Sequence, residues 1–194
     1  MQFHKSGGPS LCIPALLDFT AYLLIPVSTI LFVRGSNWLT TNFSVLGSGL
    51  DRKNAFTFWA LLVGIYFFCV LHMISRRIFP VPRGTSLISL ALILLSCAVT
   101  TPYLPESLPF PSFLHVLFSF SAAVCLSAFL VLLLWQISRK YPGKFTLYQV
   151  GLSLILLCSA LLLCIAGIVS SALEIFFSLS AAVFCRRLLN KVSL

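Results

Sequence analysis

Acidic side chains are nearly missing from this sequence: Asp and Glu together number 4 in 194 residues, and charged residues of both signs make up only 9%. An average soluble domain carries roughly 25%. The chain is instead 59% hydrophobic, with a mean hydropathy of +1.06. A soluble chain of this size leaves too large a share of its surface in water to hide so much apolar area. The shortage of charge therefore excludes a soluble globular enzyme, a disordered chain and a coiled coil. Familiar catalytic signatures are missing as well: there is no GxSxG, HExxH, P-loop or Rossmann glycine pattern. Cysteine is present, as Cys12, Cys69, Cys97, Cys125, Cys158, Cys164 and Cys185, but no two form a CxxC pair. Their odd number and scatter argue against a disulfide framework and against a zinc site. No metal or other cofactor is expected.

What remains is an all-α, polytopic membrane protein forming a single integral domain over residues 1–194. Apolar runs predict helices at about 13–33, 55–75, 85–101 and 112–138. The first run could be mistaken for a signal peptide. It is long, contains Asp18 and Pro26 and lacks a small-x-small site before Arg34, so it is expected to be a retained helix. The last apolar stretch, Leu147 to Cys185, has 39 residues. As one helix it would be about 58 Å long, nearly twice the roughly 30 Å hydrocarbon core. It must fold back, and Gly167 to Ser171 is the expected turn, giving helices at 147–167 and 171–189 and six in all.

The formal charge of +9 reads as a topology signal, because the basic residues sit in small groups between apolar runs and form no continuous patch for nucleic acid. With six helices both termini share a side. Placing them in the cytoplasm puts ten basic residues inside: Lys5, Arg76, Arg77, Arg83, Arg139, Lys140, Lys144, Arg186, Arg187 and Lys191. Only three, Arg34, Arg52 and Lys53, fall outside. The closing doublets, Arg186–Arg187 among them, are expected at anionic headgroups. Trp38, Trp59, Tyr103, Trp135 and Tyr141 fall near span ends, as interfacial aromatics do. His4 stands alone in a polar N-terminus, and His72 sits one turn before Arg76.

Ionisable groups inside spans are the default functional candidates. His115 lies about one turn into the fourth helix, followed on its face by Ser119, Ala122 and Leu126. Glu174 lies about one turn into the sixth, followed by Ser178, Ala181 and Cys185. Small residues at this spacing permit close helix approach, so both groups are expected to point inward near the outer surface. There they are the candidate catalytic residues, as a general base or proton relay, or a structural pair. Asp18, with Tyr22 and Pro26 on the following turns, is the candidate for a proton path or for a bond to a neighbouring helix.

The longest connection, residues 35–54, is rich in hydroxyls and amides interleaved with Trp38, Phe43, Val45 and Leu46. It is expected to pack into the outer mouth as a lid, or to be a solvated linker. Asn42 and Ser44 supply donors and acceptors, and Gly47 and Gly49 permit close approach. Asn42-Phe43-Ser44 also matches a glycosylation sequon. Asn42, Ser44, Gly47, His115 and Glu174 are the expected ligand contacts.

The segment Thr40-Thr41-Asn42-Phe43-Ser44-Val45-Leu46-Gly47, followed by Asp51-Arg52-Lys53-Asn54, resembles the bacterial membrane family called domain of unknown function 998. That family is similar in layout to the Frag/DRAM/Sfk-like group of six-helix proteins. Asn42, Ser44, Leu46 and Gly47 match its N/S-x-LG-like loop motif, and His115 in Leu114-His115-Val116 matches the histidine that opens a later helix. Many relatives have an acidic residue where Val45 stands. The resemblance implies a bacterial inner-membrane protein, with membrane-lipid handling by analogy to eukaryotic members of the wider group.

Four readings follow, the last of them a scaffold or immunity-type partner with no pocket. The first is a protein binding a lipid or small amphipathic ligand in an outward-facing polar pocket. The second is an intramembrane lipid-headgroup hydrolase or transferase using His115. The third is a small proton-coupled transporter using Asp18. Membrane lipids are the expected partners.

Overall fold

The computed structural model describes residues 12–49, 51–78 and 85–193. His4, Lys5 and Arg83 lie outside the described residues. Among these residues the fold is entirely helical, without a strand. Helix α1 (Cys12–Phe19), a π-helical turn (Thr20–Leu24) and α2 (Ile25–Phe32) stack as one continuous rod. The wide turn has a local cause. Pro26 has no N–H to donate and its ring crowds the carbonyl one turn back. The chain relaxes by letting the Ile25 N–H reach the Thr20 carbonyl, one residue further than an α-helix would.

After the first rod come α3 (Phe43–Ser48), α4 (Lys53–Ile78), α5 (Thr85–Thr100), α6 (Pro109–Lys140), α7 (Thr146–Ala166) and α8 (Ser171–Ser193). Counting the first rod once, the described residues form seven helical segments, where the apolar runs predict six. The additional one is α3, inside the long first connection. Its apolar content is too short to register as a run, but Asn42 caps it by accepting from the Val45 N–H at 2.8 Å. Several helices extend past their apolar runs. Arg76 and Arg77 close α4 and Arg139 and Lys140 close α6, because basic residues are good helix formers and complement the negative end of the helix dipole. The turn between α7 and α8 falls where expected: Gly167 ends α7 at φ 68°, a left-handed conformation that costs glycine little.

Among the described residues, four helices are long and apolar enough to cross a membrane: Pro14–Phe32, Lys53–Ile78, Pro109–Lys140 and Thr146–Ala166. Helix α5 is apolar but has 16 residues, about 24 Å at 1.5 Å per residue. Helix α8 carries Glu174, Arg186, Arg187 and Lys191.

The long helices alternate in direction, so the bundle has two ends. At one end, Arg186 of α8 meets Pro14 of α1, Lys140 of α6 meets the Ile78 carbonyl of α4, and Tyr148 of α7 meets the Arg187 carbonyl. The other end gathers the 35–54 connection, the α5–α6 turn and the start of α8. Helix α4 is the central member. Tyr66, Phe67, Val70, Leu71 and Ile74 are all buried in the main core with Leu130, Leu133, Ala182 and Leu188. The Tyr66 hydroxyl, sunk in that core, donates to the Ala182 carbonyl at 2.8 Å. A second, smaller core at the opposite end joins Phe32, Val33 and Phe43, with Phe56 and Trp59 packed on it. Phe43 meets Phe32 and Trp59 edge-on, at centroid distances of 5.3 and 4.6 Å. This aromatic cluster seats α3 on the bundle.

Arg186 departs from its expected place. It is buried at 3% exposure and forms a two-pronged ion pair with Asp18, Nε to Oδ1 at 2.7 Å and Nη2 to Oδ2 at 2.9 Å. Its other donors reach Asn190 and the Pro14 carbonyl. One arginine of the doublet is therefore an interhelical tie, and Arg187 is the exposed partner. The physical reason is the fork geometry of guanidinium, which matches a carboxylate one helix away.

Candidate functional site

The first connection is strapped to the start of α8. The exposed N–H groups of a helix start need acceptors. Here the Ser171 N–H donates to the Thr41 carbonyl at 2.6 Å and the Ala172 N–H to the Trp38 carbonyl at 2.8 Å. The Glu174 carboxylate reaches back and accepts from the Phe43 N–H at 2.7 Å. Arg52 completes the strap by donating to the Phe32 and Arg34 carbonyls at the end of α2, both at 3.2 Å. These bonds dock the connection on the bundle.

One residue beyond Phe43, Ser44 meets His115. The Ser44 Oγ and the His115 Nε2 are 2.7 Å apart, and the His115 Nδ1 is 3.0 Å from the Thr101 carbonyl oxygen. A carbonyl can only accept, so Nδ1 carries the proton. In the neutral ring Nε2 is then a bare acceptor and the Ser44 hydroxyl is the donor. The imidazole is 2% exposed and lies beside the rings of Tyr103 and Phe56, at centroid distances of 5.4 and 6.4 Å. Ser112, one turn earlier on α6, shapes the adjoining turn by accepting from the Leu104 N–H at 2.8 Å and donating to the Leu108 carbonyl. The ring is therefore held in one orientation from both sides.

Ser44, in contrast, is only half-buried, and it borders two apolar cavities. One, of about 180 Å³, lies among α4, α5, α6 and α8. The other, of about 520 Å³, lies among α6, α7 and α8, within the roughly 300–1,000 Å³ typical of small-molecule pockets. They flank the gap between α6 and α8. Ser44, Ser119, Ala123, Glu174 and Phe177 border both. Of the small residues on the His115 face of α6, Ala122 is buried and borders the smaller cavity, and Ser119 borders both.

The expected ligand residues fare differently. Ser44 and Glu174 border both cavities, and Asn42 borders the larger one while capping α3. His115 sits behind Ser44. Among the described residues no hydrogen bond or ion pair joins His115 to Glu174; the two grip consecutive residues of the connection, Ser44 and Phe43. Gly47 is a packing residue. A Cβ there would lie 2.6 Å from Cγ of Phe56, so its smallness lets α3 press on α4, and it borders neither of the two cavities. Asp18 lies at the opposite end, in its ion pair with Arg186. His72 stacks on Phe68 at 5.8 Å. Among the described residues no three His, Cys, Asp or Glu side chains converge on a point that could hold a metal ion.

Two contributors escape sequence reasoning. The Thr101 carbonyl orients His115, yet every residue has a carbonyl, so no signal marks this one. The Ser44–His115 contact joins two singled-out residues 71 positions apart, a distance at which spacing carries no information.

No protein-family profile, curated protein or solved structure matches the chain.

Proposed function

We propose that this protein binds an amphipathic lipid, with the polar head at the Ser44–His115–Glu174 end and the hydrocarbon in the two cavities. The observation that carries the reading is that both apolar cavities border the same polar residues, Ser44 and Glu174. A ligand with an apolar body and a few convergent polar contacts is what such a site suits. The membrane arrangement that goes with it has six crossings, the basic end and both termini in the cytoplasm, and the lid at the outer surface of a bacterial inner membrane. The basic residues Arg76, Arg77, Arg139, Lys140, Lys144, Arg187 and Lys191 at one end support that orientation. Kinship with the domain of unknown function 998 family is part of the same proposal, resting on Asn42, Ser44, Leu46, Gly47 and His115.

The test uses Ala123, which borders both cavities. A photoactivatable phospholipid is expected to crosslink to α6 and α8 of the purified protein. Ala123→Trp drives an indole into the gap that joins the two spaces and is expected to cut crosslinking at least tenfold, at a stability cost of about 1–3 kcal/mol for overpacking. Undiminished crosslinking in a folded Ala123→Trp protein rejects the reading. The hydrolase or transferase alternative is favoured by one specific observation, the Ser44–His115 hydrogen bond at 2.7 Å. The transporter alternative has no comparable support, because Asp18 is committed to Arg186.

A further inference from the structure

We propose that Ser44 is a nucleophile activated by His115, and that the protein moves an acyl group from an ester lipid onto Ser44 and then onto water. The inference rests on the lipid-binding reading above and gives it a chemistry.

Three features point the same way. The hydroxyl-to-imidazole contact is 2.7 Å, within the reach required of a general base. The Thr101 carbonyl fixes the tautomer in which Nε2 is free to take a proton, the orienting role that a carboxylate fills in the serine-protease triad. Burial is also divided suitably. His115 is enclosed by Tyr103 and Phe56, while Ser44 stands at the border of both cavities. A serine and histidine bonded only to hold helices together would gain nothing from opening onto apolar space. In a glycerolipid the ester carbonyl sits where hydrocarbon chain meets polar head. A lipid with its chains in the cavities presents that carbon at the height of Ser44.

The chemistry balances without a redox partner. Ser44 Oγ bonds to the ester carbonyl carbon as its proton passes to His115 Nε2. The bond between that carbon and the lipid alcohol oxygen breaks, and Nε2 returns the proton to the departing oxygen. An acyl-Ser44 ester remains. Water then attacks the acyl carbon and gives a proton to Nε2. Ser44 Oγ leaves and recovers that proton. The products are a carboxylic acid and the deacylated lipid alcohol. Glu174 is a positioning residue here: by holding the Phe43 N–H at 2.7 Å it fixes the backbone next to the nucleophile.

The test treats the full-length protein in detergent with a long-chain alkyl fluorophosphonate and maps the adduct by mass spectrometry. One phosphonyl group is expected, on Ser44. Ser44→Ala should accept none. His115→Gln should react at least a hundredfold more slowly. Glu174→Gln, which keeps an acceptor for the Phe43 N–H, should retain most of the rate and Glu174→Ala should lose it. An unmodified wild-type protein, an adduct at another residue, or equal rates in wild type and His115→Gln would overturn the proposal. The wild-type adduct is informative even if Ser44→Ala fails to fold. The photoactivatable phospholipid separates the two readings. Crosslinking without phosphonylation leaves lipid binding standing and removes the nucleophile, whereas absence of both removes both.

Discussion

The two ends of the bundle each tie the N-terminal part of the chain to α8 with polar groups, but they do so in opposite ways. At the basic end, Arg186 is buried and each of its three guanidinium nitrogens donates, to Asp18, Asn190 or the Pro14 carbonyl. At the other end, Glu174 and His115 hold Phe43 and Ser44, and Ser44 borders two cavities. A saturated polar network stiffens a fold. One that stops at an accessible group beside empty apolar space can recognise something. Both involve residues that stand out in an apolar sequence, so rarity alone does not separate a tie from a site.

The largest effect should come from breaking the saturated end. Asp18→Ala strands a buried guanidinium. Removing one partner of a buried pair costs about 3–5 kcal/mol, and Asp18 is 44% exposed, so about 3 kcal/mol is expected from thermal unfolding in detergent. Asp18→Ala with Arg186→Met should recover part of this, and phospholipid crosslinking should persist in the double variant. Its loss there would mean that the two ends are not independent.

A smaller effect is expected at the lid. Gly47→Val drives a side chain into Phe56, costing about 1–3 kcal/mol. Because Phe56 also lies beside His115, phosphonylation of Ser44 should slow about tenfold. An unchanged rate in a destabilised Gly47→Val protein would show that α3 can shift without moving the Ser44–His115 contact.

The smallest is at the α7–α8 turn. Gly167 adopts φ 68° with open space where a Cβ would be, so Gly167→Ala should cost only the left-handed backbone penalty of about 1 kcal/mol. Crosslinking and phosphonylation should both be unaffected. A change in either would make the turn part of the site.

The long helices are legible because burial in a membrane demands continuous apolar runs, and the turn at Gly167 follows from a run too long for one crossing. The short helix α3 is not legible this way. Six residues hold too little periodicity, and its N-cap signal, Asn42, doubles as the signal for a ligand contact. His115, Glu174 and Ser44 stand out because polar groups beside an apolar core are costly and few. Gly47 was open to two readings, and only the position of Phe56 selects packing.

Composition and hydropathy by themselves settle that the chain is helical and suited to a membrane, since local apolar content and backbone hydrogen bonding act on neighbours in sequence. Which polar groups meet is decided by tertiary structure. Asp18 and Arg186 are 168 positions apart, Phe43 and Glu174 131, and Ser44 and His115 71. Such pairs form only once packed helices bring their ends together. Whether such a side chain is enclosed, as Arg186 is, or borders a cavity, as Ser44 does, is likewise decided by how the helices pack.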